Sequence, residues 1–424
     1  MKPVNKEQIA TSILLATFHI VPELLDQLIK DVGLKITNKT TFKAFTEVNL
    51  VKKTDTKKND RPDGYLYIKN RNEWSALVEA KVGNTKLEAG QICRYLELAK
   101  TNNINAVITI SNEFSPRVDQ SPIDVPKKLL NKVKLYHFSW RLLLSNAQLL
   151  KRNANLIDRE KLFVLEELIR FLRDDSVGKK SFSMMPSSWS SDVTSGNKLE
   201  KSSPYLQETA NALVEEFSEI ALNLTDHLGV DCSMKLATSF VNDKSLWQKS
   251  IMRKIVDGDS IICQYIIPDA ANTLFVEIDI AKCIFAVGME INAPEDKKTN
   301  SGKINWLKRQ ITDHGDKNFY IKVRWRYSSQ EEMLSLDDFT KETLDQQGNT
   351  KTISAFIPLI RVQETKVFKS RKLFISELEK IVEKFYDCYG QNLKAWVAKP
   401  PKPIELESNN EEDWELEDKG KDKP

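Results

Sequence analysis

The first 33 residues carry hydrophobic side chains at the three- and four-residue spacing of an α-helix. These positions are Ile9, Ile13, Leu14, Phe18, Val21, Leu24, Leu25 and Leu28. The pattern ends at Gly33, and glycine commonly stops a helix because it accepts a left-handed backbone conformation. We therefore expect a helix over residues 6–33.

The pattern then changes to the alternation that is typical of strands. Extended runs cover residues 42–52, 63–68 and 74–82. A helix follows, and the continuous apolar run 106–110 is typical of a strand that is covered on both faces. The predicted order is α-β-β-β-α-β, and a strand with a helix over 134–150 and a helix over 159–173 complete a first α/β domain, residues 1–173.

Residues 174–204 have the composition of a linker, because they are rich in serine and contain Gly178, Pro186 and Gly196. Apolar residues nevertheless recur inside this segment at spacings of three, four and four: Phe182, Met185, Trp189 and Val193. We expect a short helix that docks on the rest of the protein.

A second domain of the α+β class is predicted for residues 205–397. It opens with a helix over 205–228 and closes with a helix over 371–389. Strand-like runs lie between them, at 260–267, 273–280, 319–327 and 352–358, together with an amphipathic helix over 302–311. Residues 398–424 combine proline with a block of acidic residues and are predicted to be a disordered tail.

Composition and charge exclude several classes of protein. Hydrophobic residues make up 41% and charged residues 29% of 424 residues, as in ordinary globular proteins. The apolar run near the N-terminus is too short to span a bilayer and has no cleavage site, so we expect a cytoplasmic protein with no membrane partner. The five cysteines form no metal-binding pattern and read as reduced thiols. The net charge is only +3, so a surface for nucleic acid must come from local sorting of charge.

Two carboxylates and a lysine occupy segments that otherwise read as buried strand. A hairpin centred on Arg71 pairs residues whose numbers sum to 142. Asp63 and Glu79 then face each other, with Cβ atoms about 4.5–5.5 Å apart, and Lys81 lies on the same face as Glu79.

Adjacent half-buried carboxylates repel each other unless a cation lies between them. Oxygen ligands of this kind suit Mg²⁺ or Mn²⁺, and Lys81 can orient or deprotonate a water for attack on phosphorus. The alternative is a solvated strand face, on which the triplet Glu79-Ala80-Lys81 has no function. The combination with a Pro-Asp at a strand start, a following helix and an apolar strand favours the catalytic interpretation.

Residues 5–150 resemble the PD-(D/E)xK nuclease superfamily. The resemblance rests on Pro62-Asp63, on Glu79-Ala80-Lys81, and on Gln91 with Tyr95, which is similar to the Q-x-x-x-Y of several branches. It implies a restriction-endonuclease-like fold with the α-β-β-β-α-β core. It also implies that Asp63, Glu79 and the Ala80 carbonyl hold the metal, that Lys81 serves the nucleophilic water, and that Gln91 supports the site.

Some members of that superfamily add a glutamate from the first helix. Glu7 is the candidate here, and its alternative role is that of an acid favouring the helix dipole. Glu47 is a second candidate.

Two basic segments are candidates for contacts with nucleic acid. The first is the loop before Asp63, with Lys52, Lys53, Lys57, Lys58 and Arg61; the second is the outer face of the strand 319–327, with Lys322, Arg324 and Arg326. Each has a structural alternative, an exposed loop and a solvated sheet face. His137 reads as a core histidine rather than a catalytic one.

The sequence therefore predicts a Mg²⁺-dependent endonuclease that acts on nucleic acid, DNA ahead of RNA, with restriction or phage defence suggested by analogy alone. The second domain would recognise the target, bind a partner or control activation, and a homodimer would allow both strands to be cut. Two alternatives remain: a nuclease fold that binds nucleic acid without cutting it, and an interaction protein whose second domain does the main work. No phosphate-binding GxxxxGK[ST] motif is present, so ATP hydrolysis is not expected.

Overall fold

A computed structural model of the chain describes most residues between Asn5 and Ala398. The described ranges are 5–30, 32–37, 39–48, 50, 61–113, 115, 117–152, 158–174, 176–178, 184–189, 204–242, 244–346 and 351–398. We call residues 5–178 the N-terminal half and residues 184–398 the C-terminal half. The predicted acidic tail and most of the predicted linker lie outside the described residues.

The N-terminal half is built on one mixed sheet with the strand order β1-β2-β3-β4-β5. The strands are β1 (Thr41–Thr46), β2 (Gly64–Lys69), β3 (Glu73–Ala80), β4 (Ala106–Ser111) and β5 (Lys134–Ser139). The first three are antiparallel neighbours, and β4 and β5 run parallel to β3. All five predicted strands are present; β1 ends at Thr46 rather than at residue 52, and the other ends differ by two residues at most.

Helices cover both faces of this sheet. The helices are α1 (Lys6–Ile20), α2 (Pro22–Lys30), α3 (Ala89–Thr101), α4 (Trp140–Arg152) and α5 (Arg159–Leu172). α1, α2, α4 and α5 enclose one apolar core, and α3 encloses a second core on the opposite face. All six residues of β4 are therefore buried, which is why its sequence is continuously apolar rather than alternating.

The prediction of one helix over residues 6–33 is wrong. α1 ends at Ile20, α2 begins at Pro22, and the two axes differ by 103°. Proline has no N–H to continue the helix, and its ring restricts the residue before it, so Pro22 suits the start of a new helix. In the described part of the chain no single helix is long and apolar enough to cross a membrane, although this bent pair meets the length and composition criteria together.

The C-terminal half contains an antiparallel sheet with the order β12-β11-β13-β9-β8-β7-β6, to which β10 adds beside β13. Its strands are β6 (Ser233–Met234), β7 (Ile261–Ile266), β8 (Leu274–Asp279), β9 (Ile284–Met289), β10 (Ile291–Asn292), β11 (Phe319–Trp325), β12 (Glu331–Ser335) and β13 (Ile353–Gln363). Alternate residues of β7, β8 and β11 are buried, because one face of the sheet packs on helices.

Helices of the C-terminal half enclose its core with that face. They are α6 (Pro204–Leu228), α7 (Thr238–Asn242), α8 (Lys244–Asp257), α9 (Asn300–Lys308), α10 (Lys341–Gln346), α11 (Thr365–Lys369) and α12 (Arg371–Cys388). The predicted opening and closing helices and the amphipathic helix are confirmed. The strands β6, β9, β10 and β12 and the helices α7, α8, α10 and α11 were not predicted. The chain as a whole is mixed α/β, with a mixed five-stranded sheet and a larger antiparallel sheet, whereas the domain boundaries stay a prediction.

The predicted docking segment is described only in residues 184–189. Met185 and Trp189 are fully buried in the C-terminal core. Arg371 donates through Nε to the Met185 carbonyl at 2.6 Å, and Trp189 donates through Nε1 to the Phe368 carbonyl at 2.8 Å. These residues pack on the C-terminal half as expected, whereas Phe182 and Val193 lie outside the described residues.

One carboxyl in the core of the C-terminal half has no favourable partner among the residues that the structure describes. Glu216, on α6, is fully buried, and neither of its oxygens accepts a hydrogen bond from the described residues. Burial, followed by repulsion from Glu379 and Glu219, raises its pKa well above the ordinary value. Charged Glu216 therefore destabilises the fold, and this cost increases as the pH rises above the pKa of an unfolded glutamate.

We predict that Glu216→Gln stabilises the protein by about 1 kcal/mol or more near neutral pH, because glutamine removes the cost of keeping this carboxyl protonated, or of charging it, inside the fold. The gain should shrink at about pH 4, where both the folded and the unfolded chain carry a protonated Glu216. Urea unfolding at the two pH values measures the difference. Glu97→Gln, at an exposed position on α3, is the control and should show no such pH dependence. An equal effect of Glu216→Gln at both pH values would contradict the prediction.

Candidate active site

Asp63 and Glu79 lie opposite each other at the same end of the β2–β3 hairpin. The observed pairs run from Lys69 with Glu73 to Gly64 with Val78, so partner numbers sum to 142 as predicted. Asp63 directly precedes β2, and its Oδ2 accepts a hydrogen bond from the Ala80 N–H at 2.9 Å. The short turn and the alternation of buried side chains set this register, because a slip of one residue would reverse the faces of the hairpin.

Lys81 joins Glu79 to Glu7 where β3 ends. Its Nζ lies 2.7 Å from Glu79 Oε1 and 3.4 Å from Glu7 Oε2. Its backbone N–H donates to the Ile110 carbonyl at 2.8 Å, which continues the pairing of β3 with β4 beyond the strand. Asp63, Glu79 and Lys81 are at most 9% exposed, so three ionisable groups share a nearly buried place.

Glu7 reaches this place because α1 packs closely on the start of β2. A Cβ on Gly64 would lie 2.8 Å from Leu15 Cδ1 and 3.2 Å from Thr11 Cγ2, both on α1. A larger residue at position 64 would therefore push the helix away. The structure places Glu7, rather than Glu47, beside the lysine.

Glu47 turns toward the surface instead. It has a left-handed backbone with φ of 54°, and its Oε2 pairs with Arg61 Nη2 at 2.7 Å. Its N–H donates to the Asp63 carbonyl at 3.0 Å. Glu47 thus contacts the backbone of the site while its carboxylate is engaged by Arg61.

The helix after β3 contributes Gln91 and Tyr95, one helical turn apart. Gln91 donates through Nε2 to Glu79 Oε1 at 2.8 Å and to the Tyr95 hydroxyl at 3.1 Å. The Tyr95 hydroxyl donates to the Arg61 carbonyl at 3.1 Å. The pair therefore holds both the Glu79 carboxylate and the chain that leads into Asp63.

Both carboxyls of the hairpin are difficult to ionise. Burial, followed by repulsion from Glu79, raises the pKa of Asp63 from 3.8 to about 7, although the Ala80 N–H and Lys81 oppose the shift. The pKa of Glu79 is also raised, because burial outweighs the stabilising contact with Lys81. The positive charge of Lys81 is therefore too little to offset the cost of ionising both carboxyls.

Lys81 remains an ammonium in this arrangement. Burial by itself would lower its pKa, but the hydrogen bond and the charge of Glu79, together with Glu7 and Asp63, raise it. The same side chain cannot act as a general base while its proton is held in this way. Its geometry suits electrostatic stabilisation of a developing negative charge.

The chain was compared with protein-family models, with curated proteins and with solved structures. None of them matches it. What the site can do must therefore follow from its own geometry and charge.

The donor set at this site is composed of oxygen. Among the described residues, no group of three or more histidine, cysteine, aspartate or glutamate side chains is arranged so that it could hold a metal ion by itself. Two adjacent carboxylates and a neighbouring carbonyl are, however, the number and kind of protein ligands that Mg²⁺ typically uses with water and phosphate. The raised pKa of Asp63 points in the same direction, since a cation would offset the cost of its charge.

Most of the candidate residues for nucleic-acid binding that the structure describes are paired with carboxylates. Lys52, Lys53, Lys57 and Lys58 lie outside the described residues. Arg61 pairs with Glu47, Lys322 pairs with Glu331 at 3.2 Å, and Arg324 pairs at 2.6 Å with both Glu290 and Glu331. Arg326 lies just beyond β11, is exposed, and donates its N–H to the Thr352 carbonyl. The outer face of β11 is thus largely neutralised, which favours the solvated-face interpretation.

Alternation along the strand predicted over 319–327 places Tyr327 on the same face as Phe319, Ile321, Val323 and Trp325, and for Tyr327 this expectation is wrong. Tyr327 is 94% exposed, whereas Phe319, Ile321, Val323 and Trp325 are buried. The register shifts between Arg324 and Trp325, the strand ends at Trp325, and Tyr327 has a φ of 58°. The alternation therefore does not extend to Tyr327.

His137 is a buried histidine with satisfied ring nitrogens, as expected. Nδ1 lies 3.0 Å from Thr109 Oγ1, and Nε2 lies 2.8 Å from the Glu113 carbonyl. Sequence reasoning missed Trp140, whose Nε1 donates to the Lys81 carbonyl at 2.7 Å. Trp140 lies in an apolar segment, and a buried indole N–H usually has a hydrogen-bond acceptor. The sequence therefore indicated that Trp140 makes a polar contact, but not with which residue.

We predict that Asp63→Asn stabilises the metal-free protein at about pH 8 and much less at about pH 4. The folded pKa of Asp63 lies above its unfolded value, so charging this group costs stability progressively between pH 3.8 and about 7. Asparagine can still accept the hydrogen bond from Ala80. Urea unfolding in EDTA checks the prediction, with Asp124→Asn at an exposed position as the control. A destabilisation at the higher pH would contradict it.

Proposed function

We propose that this chain is a metal-dependent nuclease of the PD-(D/E)xK type, which hydrolyses phosphodiester bonds in DNA in preference to RNA. One observation carries the proposal: Asp63, Glu79 and Lys81 converge at the end of one hairpin, with the Lys81 ammonium 2.7 Å from Glu79 and the Ala80 N–H 2.9 Å from Asp63. A structural scaffold gains nothing from two adjacent buried carboxyls whose charges repel.

Asp63, Glu79 and the Ala80 carbonyl would hold Mg²⁺ or Mn²⁺, with Glu7 as an additional carboxylate near the site. A bound divalent cation supplies charge neutralisation and polarisation of a phosphate oxygen. Lys81 would stabilise the negative charge that develops on the phosphate oxygens and would orient the attacking water. Gln91 keeps the Glu79 carboxylate in place through its hydrogen bond at 2.8 Å.

The fold-level part of the proposal is a restriction-endonuclease-like core in the N-terminal half. It is supported by the element order from α1 to β4 and by the mixed sheet with helices on both faces. The functional residues gather where β2 begins and β3 ends; α1 adds Glu7, and α3 adds Gln91 and Tyr95. This support is an analogy of arrangement, so function is argued from the site itself.

The C-terminal half would recognise the target, bind a partner or control activation. A homodimer would place two such sites on opposite strands of a duplex. We propose a cytoplasmic setting in restriction or phage defence, an extension by analogy with bacterial nucleases of similar layout. Arg326 and the basic residues before Asp63 are proposed to contact the phosphate backbone.

We predict that the purified protein cuts plasmid DNA in Mg²⁺ or Mn²⁺ and not in EDTA. Lys81→Ala should lower the rate at least about a hundredfold, because it removes a charge that acts on the transition state. Lys69→Ala, which removes an exposed lysine at the other end of the hairpin, is the matched control and should retain full activity. Linear duplex, single-stranded DNA and RNA, assayed beside the plasmid, define the substrate.

Two results in that assay would favour other functions. Equal binding of DNA by the wild type and by Lys81→Ala, without cutting, would indicate a nuclease fold that acts as a sensor. Normal biological behaviour of Lys81→Ala would indicate an interaction protein in which the C-terminal half does the main work.

We further predict that Mg²⁺ or Mn²⁺ raises the melting temperature of the wild type, because a ligand that binds only the folded state stabilises it. The rise should be lost in the double variant Asp63→Asn, Glu79→Gln, which keeps the size of both side chains but removes their charge. Differential scanning fluorimetry across a series of metal concentrations measures the shift. Sodium chloride at equal ionic strength controls for general screening of charge. An equal rise in the double variant would place the metal elsewhere.

A further inference from the structure

The backbone of Lys81 is held on both sides by hydrogen bonds that do not involve its side chain. Its N–H donates to the Ile110 carbonyl, and its carbonyl accepts from Trp140 Nε1 at 2.7 Å. Trp140 is 1% exposed and is the first residue of α4. The direction in which the Lys81 side chain leaves the backbone therefore depends on where the first turn of α4 lies.

The next residue of that turn, Arg141, points to the other half of the protein. Its guanidinium donates to three side chains of α6: Nη1 to Asp226 at 2.7 Å, Nη2 to Asn223 at 2.9 Å, and Nε to Glu219 at 3.2 Å. Glu219, Asn223 and Asp226 follow one another at spacings of four and three residues, so they lie on one face of α6. All three nitrogens of the guanidinium are engaged, which defines both its position and its orientation.

This contact is mostly shielded from water. The Arg141 side chain is 15% exposed, and those of Glu219 and Asp226 are 12% and 20% exposed. Removing one partner of such a pair leaves a charge that is neither hydrated nor paired. Any other packing of α4 against α6 would have the same cost, so the contact favours the observed one.

Neighbouring contacts extend the interface between α4 and α6, which we call the seam. Ser145, one turn further along α4, donates to Asp226 Oδ1 at 2.9 Å. Asn223 in turn donates through Nδ2 to Glu379 Oε1 at 2.6 Å, which connects α6 to α12. The first turn of α4 is therefore tied to two helices of the C-terminal half.

We propose that Trp140 and Arg141 form a link through which the C-terminal half positions the catalytic lysine. Adjacent residues of one helical turn move together, so a displacement of α6 that withdraws the acceptors of Arg141 also shifts the donor to the Lys81 carbonyl. Trp140 is thus a positioning residue, and full activity requires α6 of the C-terminal half to be packed against α4. The inference rests on the proposed nuclease function.

The test uses the full-length protein with supercoiled plasmid DNA and Mg²⁺. Trp140→Phe removes the indole donor but keeps an aromatic ring, and Arg141→Gln removes the charge and most of the donors. Each should lower kcat about tenfold, the equivalent of roughly one hydrogen bond in the transition state, with little change in KM. The controls are Trp74→Phe on β3 and Arg253→Gln, whose side chain is 77% exposed, and both should retain wild-type kcat.

Three further readouts separate positioning from a general loss of structure. In the double variant the two effects should combine to less than their product, because both changes break the same link. Hydrogen–deuterium exchange should increase at residues 79–83 in Arg141→Gln, although the substitution lies outside that segment, and should be unchanged in Arg253→Gln. Arg141→Lys should recover part of the activity, since it restores the charge but not the three-way geometry.

The outcomes distinguish this inference from the proposed function. If the wild type cuts DNA and Arg141→Gln has the same kcat and the same exchange at residues 79–83, the link is wrong and the nuclease proposal stands. If Lys81→Ala is as active as the wild type, the nuclease proposal fails whatever the exchange shows. If kcat falls and local exchange rises in both Trp140→Phe and Arg141→Gln, with controls unaffected, the link is supported.

Discussion

The free-energy cost of placing two carboxyl groups side by side in a nearly buried environment is the constraint on which the rest of this site depends. Burial and repulsion raise the pKa of Asp63 to about 7 and raise that of Glu79, and one ammonium offsets the cost only in part. Every neighbouring contact has a role in this balance: the Ala80 N–H and Gln91 each stabilise one carboxyl, and Lys81 bridges Glu79 and Glu7. Such strain persists only where the surrounding structure enforces it.

The mixed sheet provides that enforcement. β3 is central, pairs antiparallel with β2 on one side and parallel with β4 on the other, and is covered by helices on both faces. Glu79 therefore cannot move away from Asp63 without disrupting two ladders of hydrogen bonds. The close packing of α1 at Gly64 and the turn of α3 that carries Gln91 bring the remaining side chains to the same end of the hairpin. The site is thus a property of the packed sheet rather than of a flexible loop.

The two halves are joined by polar contacts at the seam between α4 and α6. Arg141 is buried there, and its pKa is raised because Glu219 and Asp226 outweigh the effect of burial. A buried ion pair of this kind adds little net stability compared with apolar packing, but it specifies one geometry, since other geometries leave its charges unpaired. The same turn of α4 contacts the Lys81 backbone, so the geometry at the seam and the geometry at the site are connected through covalently adjacent residues.

The sequence by itself determined the hairpin register, the order of the elements in the N-terminal half and the identity of the charged residues, because alternation, turn position and apolar runs are local properties. It did not determine the break at Pro22, since the apolar spacing continues across it. It also did not determine β9, in which position 288 must be glycine because the Pro358 carbonyl lies too close for a side chain. Tertiary structure alone decided that Glu7 rather than Glu47 approaches Lys81, that Lys322 and Arg324 are neutralised by Glu290 and Glu331, and that Trp140 holds the Lys81 backbone. These contacts join residues far apart in the chain, and their energies depend on burial and partner geometry, which exist only once the sheets and helices have packed.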